Sequence, residues 1–180
     1  MEAINRRREE DLGKVKALSS LYPGRIEVLE YNRSISSIKV RLKIPTSRDS
    51  AYPHTVQQSS DIFFELPGRY PFEEPLAKVL TPIWNPNVFT SGKICLGTRW
   101  IPTESLDLLV ERIMKLLAFD PLIINTDSPA NSEASQWYKL QVARNPGLFP
   151  TVKIEALKQQ MQKPRMVWKN VASTGTWRDI

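Results

Sequence analysis

The sequence predicts an α+β domain built on a four-stranded antiparallel meander, and three observations carry that prediction. A helical stretch precedes all the β-type runs. Those runs are short and joined by turns or polar loops, with no helix between them, and helical spacing returns only after an irregular stretch from Thr81 to Pro102. The order helix, strands, irregular segment, helices leaves no βαβ crossover and therefore no parallel sheet. With 180 residues the chain suits one domain, here residues 1–163, followed by a tail at 164–180.

Each element has its own justification. Residues 3–19 place Ile4, Leu12, Val15 and Leu18 on one side and charge elsewhere, with Gly13 as a weak point, and Tyr22-Pro23-Gly24 ends the helix. Arg25 to Tyr31 and Ser34 to Ile44 read as a hairpin about Asn32-Arg33, the second strand alternating apolar and basic residues. Pro45 to Ser60 is a polar loop. Asp61 to Leu66 is a third strand, stopped by the proline-rich run from Pro67 to Pro75, and Ala77 to Leu80 is a fourth. Leu106, Leu109, Val110, Ile113 and Leu117 follow one helix face, with Ser105 or Thr103 as the cap and Asp120-Pro121 as the stop. Pro129 to Arg144 forms the next helix, with Ala134, Trp137, Tyr138 and Gln141 on one side, and Thr151 to Lys163 a last one.

Composition removes several classes of function. The single cysteine cannot form an intrachain disulfide, which argues for a reducing, cytoplasmic setting. One His and one Cys do not supply a zinc site of the usual four ligands, so no metal is expected. No apolar run reaches the roughly 20 residues needed to span a bilayer, and the charged opening Met1 to Glu10 does not read as a secretory signal. The net charge of +6 would suit nucleic acid, but it is divided as +4 in residues 1–50, −2 in 51–150 and +4 in 151–180. A phosphate-binding platform would carry its basic residues on the folded centre, so no nucleic-acid partner is expected.

The chemistry centres on Cys95. Ser91-Gly92-Lys93-Ile94-Cys95-Leu96-Gly97 flanks the thiol with two glycines and a lysine that would favour thiolate, whereas the plain alternative is a small buried residue. The one imidazole, His54, stands in a distant polar loop, so a cysteine hydrolase would have a nucleophile without a base. A thiol without a base suits transfer of an already activated acyl group through a thioester, given something to stabilise the oxyanion.

These residues also carry a resemblance. Tyr70-Pro71-Phe72-Glu73-Glu74-Pro75, Trp84-Asn85-Pro86-Asn87, Gly92-Lys93-Ile94-Cys95-Leu96, Trp100-Ile101-Pro102 and Ser128-Pro129-Ala130-Asn131-Ser132-Glu133-Ala134 stand in an order that resembles the ubiquitin-conjugating enzyme family. The resemblance extends over about residues 3–163 and implies the UBC-like fold. It implies that Cys95 accepts the C-terminal glycine of ubiquitin or a ubiquitin-like protein from an activating enzyme, and that a lysine amine of a target protein then attacks the thioester. No cofactor is implied. The family's His-Pro-Asn motif stands here as Asn85-Pro86-Asn87, and Asn87 would support the oxyanion; alternatively it is a turn residue bonding its own backbone. Asp127 and Ser128 fall at the gate through which the lysine would approach, where a carboxylate could orient the amine and help with its proton, or equally where an exposed polar loop would lie.

The same resemblance makes the first helix, with Arg6, Arg7 and Lys14, and the loops of Phe72 and Pro102 the expected docking surface for an activating enzyme or a ligase. A solvated basic helix face is the simpler reading of those charges. Four features depart from the family pattern: Asn85 replaces a histidine usually regarded as structural, Gly97 stands where an acidic residue usually follows Cys-Leu, the stretch from Cys95 to Trp100 is short, and the connection from Asp120 to Pro129 is long. This divergence suggests a lineage outside the standard eukaryotic set, such as a bacterial ubiquitin-like conjugation operon with a role in antiphage defence. The competing reading is a non-catalytic member of the same fold that binds ubiquitin or a scaffold. It is disfavoured by the cysteine at the motif position.

Overall fold

The computed structural model describes residues 2–150. The helix expected at 151–163 and the tail at 164–180 lie outside the described residues. Helix α1 (Glu2–Leu21) leads into strands β1 (Ile26–Tyr31), β2 (Ser37–Leu42), β3 (Thr46–Ser47), β4 (Val56–Gln57), β5 (Ser60–Glu65) and β6 (Leu76–Val79), followed by helices α2 (Leu106–Leu117) and α3 (Ser132–Arg144). The main sheet is antiparallel in the order β1-β2-β5-β6, which is the expected meander. The pair β3 and β4 is a separate miniature sheet inside the polar loop that was expected to lack regular structure.

Strand β2 shows how the sheet acquires two faces. Its residues alternate between half-buried Ser37, Lys39 and Arg41 and fully buried Ile38, Val40 and Leu42, and β5 repeats the pattern with Ile62 and Phe64 inside. The inward residues share one core with Leu106, Leu109, Val110, Ile113 and Met114 of α2, each at most 1% exposed. A buried leucine or isoleucine contributes about 1.5–3 kcal/mol relative to leaving it in water, so this helix face anchors the domain. Registers Val40↔Ile62 and Ile62↔Val79 carry the core across three strands to β6, which positions the irregular segment.

Several boundaries differ from the sequence expectation, each for a local reason. The first hairpin turns through residues 32–36 because the Asn32 Oδ1 accepts the N–H groups of Ser36 at 2.8 Å and Ser37 at 3.1 Å, which delays β2 to Ser37. Helix α3 starts at Ser132, because Asn131 caps it by accepting the Ala134 N–H at 3.0 Å. Pro129-Ala130-Asn131 instead forms a connection whose Ala130 and Asn131 N–H groups both donate to the Pro86 carbonyl. Ser105 occupies the cap position of α2 without a side-chain capping bond. That helix ends at Leu117, and buried Phe119 takes a left-handed φ of 60°, with its ring packed 4.3 Å from that of Phe149.

Helix α1 departs most from its reading as a charged outer face. Leu12, Val15 and Leu18 are buried as expected, but so are Arg8 and Asp11. Arg8 Nη2 donates to the carbonyls of Leu66 at 3.1 Å and Pro67 at 2.9 Å. Asp11 accepts from Arg7 Nε at 2.8 Å and from the Tyr70 hydroxyl. Burial, reinforced by that hydrogen bond to Asp11, pushes the Tyr70 phenol far above its usual range and keeps it neutral.

Candidate active site

The segment from Thr81 to Pro102 lies beside the outer edge of β6 without becoming a strand. Val79 N–H donates to Gly92 O at 2.8 Å, and Ile94 N–H to Ala77 O at 3.0 Å, so residues 92–94 are laced to β6, and Val88 pairs in turn with Ile94. Gly92 makes that approach possible: its φ is +85°, and a Cβ there would lie 2.4 Å from the Val79 carbonyl oxygen. This fixed approach delivers the chain to Cys95, which is partly exposed and free.

The Asn85-Pro86-Asn87 turn faces it. Cys95 N–H donates to the Asn87 carbonyl at 2.8 Å, and Asn87 Nδ2 donates back to the Cys95 carbonyl at 3.2 Å. Asn87 is completely buried, and its Oδ1 accepts the Asn125 N–H at 2.9 Å. Asn85 is equally buried; its Oδ1 accepts the Asn87 N–H at 2.9 Å and its Nδ2 donates to Leu116 O at 3.1 Å, at the end of α2. Asn85 thus fixes the turn to the core helix through a donor and an acceptor, a task an imidazole can also perform because its two ring nitrogens offer one of each.

The remaining expected site residues fall into two groups. Asp127 and Ser128 are exposed, and their N–H groups both donate to Asn125 Oδ1, at 3.2 and 2.9 Å. Asn125 therefore brings Cys95, Asn87, Asp127 and Ser128 into one hydrogen-bonded series, although the sequence reading did not single it out. Arg112 was also missed. Its Nη2 donates to Leu96 O at 2.8 Å and its Nη1 to the Thr98 hydroxyl, so α2 braces the short stretch after the thiol. Spacing alone gives no sign of either partner, though an asparagine in a long polar loop is a common backbone-bonding residue.

The second group lies on α1 and its neighbouring loops. Arg6, Arg7 and Phe72 line a shallow groove of about 280 Å³, and Phe72 is 72% exposed. Arg6 is exposed and 3.9 Å from Glu10, and Lys14, half-exposed, is 3.9 Å from Asp11. Arg7 does something different from its neighbours: Nη1 donates to Pro102 O at 3.0 Å and Nη2 to Glu104 O at 2.5 Å, which spends its guanidinium on holding the Pro102 loop. Pro102 itself is exposed, as is Ile101 beside it. Trp100 Nε1 donates to Pro71 O at 2.7 Å, so the Phe72 and Pro102 loops are tied to each other as well. His54 is exposed in the loop between β3 and β4, and among the described residues no group of His, Cys, Asp and Glu could hold a metal ion. No helix of the described residues is long and apolar enough to cross a membrane.

Comparison with known proteins identifies the family and the fold. Residues 15–145 match the family model described as ubiquitin-conjugating enzyme. Ubiquitin-conjugating enzyme E2 2 of Yarrowia lipolytica is 40% identical over 74 residues, which is 39% of this chain and 46% of that protein. Ubiquitin-conjugating enzyme E2 T of Bos taurus is 36% identical over 81 residues, 41% of this chain and 40% of that protein. The chain thus spans less than half the length of these curated relatives, which are fungal and mammalian and lend no support to the bacterial expectation. The solved structure of human ubiquitin-conjugating enzyme E2 G1 superposes with a TM-score of 0.50 at 19% identity, covering 64% of this chain and 98% of that one, a likeness of fold.

Proposed function

The chain belongs to the ubiquitin-conjugating enzyme family, and from that premise we propose that Cys95 carries ubiquitin or a ubiquitin-like protein as a thioester and passes it to a lysine. The Cys95 thiolate attacks the modifier's C-terminal carbonyl carbon, and the activating enzyme's sulfur leaves with the bonding pair. In the second step the lysine nitrogen bonds to the same carbon, the Cys95 sulfur leaves, and the amine's surplus proton passes to the Asp127 carboxylate or to water. Both steps pass through an oxyanion, and both are acyl exchanges that need no oxidant or metal.

One observation carries this reading: the reciprocal bonds between Asn87 and Cys95, one backbone to backbone and one from the Asn87 side chain, which hold an amide donor against the peptide of a partly exposed thiol. An amide N–H fixed beside the reacting carbon is the group that such an oxyanion requires, and loss of one donor of this kind costs about 3–4 kcal/mol in known acyl-transfer sites. The absence of an imidazole in the described hydrogen bonds of Cys95 fits an acyl group that arrives already activated. The activating enzyme and a ligase would dock on the α1 groove, with Arg6, Lys14, Phe72 and Pro102 on its contact face and Arg7 holding the loop in place. The setting is cytoplasmic.

The test is a loading assay. Incubation with an activating enzyme, ATP and tagged ubiquitin should give an adduct that a thiol reductant removes. Cys95→Ser should give an adduct that resists reductant, and Cys95→Ala none. Because the chain has one cysteine, a covalent adduct that forms equally well on Cys95→Ala would overturn the assignment, and failure to load any modifier alongside intact modifier binding would favour the binding-module reading.

A further inference from the structure

We propose that Asn125 is a positioning residue for transfer from Cys95, acting through Asn87. The inference rests on the conjugating reading above. Three observations converge on this residue. Its backbone N–H donates to Asn87 Oδ1 at 2.9 Å, the contact that fixes which way the Asn87 amide points. Its own Oδ1 accepts from Asp127 N–H at 3.2 Å and Ser128 N–H at 2.9 Å, while its Nδ2 donates to Ser128 O at 2.9 Å. The loop between Asp120 and Pro129 is thereby folded around one amide, with Asp127 and Ser128 exposed at its tip.

The geometry has a chemical consequence. With Oδ1 of Asn87 fixed by Asn125, Nδ2 is directed to the Cys95 peptide, where it donates to the carbonyl oxygen at 3.2 Å. An Asn87 free to rotate would present oxygen to the thioester as readily as nitrogen, and a carbonyl oxygen facing an oxyanion opposes the reaction. Asn125 removes that choice through its backbone N–H, which its own side chain holds in place by folding the loop at Asp127 and Ser128. The long loop, which departs from the family pattern, thus has an internal fastener. Further support comes from Ser135 Oγ, which donates to Thr126 O at 3.2 Å and ties the same loop to α3.

The experiment is a double-mutant cycle on single-turnover discharge. Protein charged at Cys95 with labelled ubiquitin is chased with free lysine for the native chain, Asn125→Ala, Asn87→Ala and the double variant. Asn125→Ala should slow discharge about tenfold while slowing loading less than threefold, with the loss in the limiting rate rather than in the lysine concentration at half-saturation. Because Asn125 acts through Asn87, the double variant should discharge no more slowly than Asn87→Ala alone. Asn125→Asp keeps the acceptor for both N–H groups and should recover discharge to within about threefold of native. In the uncharged protein, amide exchange at the Asn125 N–H should accelerate in Asn125→Ala and remain slow in Asn125→Asp. Multiplicative losses in the double variant, or equal losses of loading and discharge with no rescue by Asp, would overturn the inference. If the native chain itself never loads, the conjugating reading has failed, and the exchange measurement still decides whether Asn125 holds Asn87.

Discussion

Asn87 and Cys95 exchange hydrogen bonds in both directions, the Cys95 N–H to the Asn87 carbonyl at 2.8 Å and the Asn87 side-chain amide to the Cys95 carbonyl at 3.2 Å. The side chain that would serve the oxyanion is therefore also a structural clamp on the thiol's own peptide. Replacing Asn87 by alanine removes both uses and leaves the Asn125 N–H without its acceptor. A buried group so abandoned costs about 1–3 kcal/mol, and the variant should unfold at correspondingly lower denaturant. Discharge of the charged enzyme to lysine should fall by more than that destabilisation explains, by about 100-fold or more, as expected for a lost oxyanion donor. Stopped-flow discharge at temperatures where the variant is fully folded separates the two effects.

Gly92 offers a purely steric prediction. Any side chain there would place its Cβ 2.4 Å from the Val79 carbonyl oxygen on a backbone at φ +85°, a conformation L residues rarely adopt. Gly92→Ala should cost about 1–3 kcal/mol, and amide exchange should quicken at Val79 and Ile94, whose N–H groups bond across this junction. Loading at Cys95 should weaken in parallel. Unaltered exchange at both amides would show that the segment's position does not depend on the close approach.

Arg7 and lysine should not be interchangeable. The guanidinium reaches Asp11, Pro102 O and Glu104 O together, three acceptors for one planar fork. A lysine ammonium is a single point and cannot span them. Arg7→Lys and Arg7→Ala should therefore destabilise by similar amounts, about 1–3 kcal/mol, whereas Arg6→Ala, at an exposed site, should change stability by less than about 0.5 kcal/mol. Thermal unfolding of the three variants checks this ordering.

Asp61 gives a pH prediction with a definite sign. Arg41 donates to it through Nε at 2.7 Å and Nη2 at 2.9 Å, and these bonds hold its carboxyl below the usual carboxylate range. The folded value is lower than the unfolded one, near 3.9 for aspartate, so the stabilisation is present above that pH. It is lost as pH falls through the folded value. Native protein should be more stable than Asp61→Asn at pH 7, with the gap closing as urea unfolding is repeated from about pH 5 towards 2. A gap that stays constant over that range would mean the pair contributes through packing rather than charge.

How much of this was legible in the sequence depends on the range of the interactions involved. The alternation of Ile38, Val40 and Leu42 and the spacing of Leu106, Leu109 and Ile113 reveal β2 and α2, because one buried face repeats within a few residues. Cys95 was legible as an irregular, glycine-flanked thiol. Arg8 and Asp11 were misread because their partners, Leu66, Pro67 and Tyr70, lie more than 50 residues away. A charge run on a helix ordinarily faces water unless distant carbonyls and hydroxyls are supplied to it. Asn85 looked like a lost histidine and instead supplies both a donor and an acceptor to fixed backbone groups. Arg112 acts on a backbone carbonyl of another segment and Asn125 on the side chain of Asn87, relationships that leave no periodicity to detect.

The lacing of residues 92–94 onto β6 bears on solubility as well. A sheet in the order β1-β2-β5-β6 would end at β6 with unpaired peptide groups, a template on which another chain could add a strand. The approach of Gly92 and Ile94 occupies the Val79 N–H and the Ala77 carbonyl, so the segment that carries the thiol also shields that flank from intermolecular pairing. At the opposite flank, the irregular register between Val28 and Glu30 interrupts β1. Variants selected for a more open reaction segment would then carry a second liability, self-association through an uncovered strand, and tolerance of the active region to change would be limited by aggregation before it is limited by catalysis.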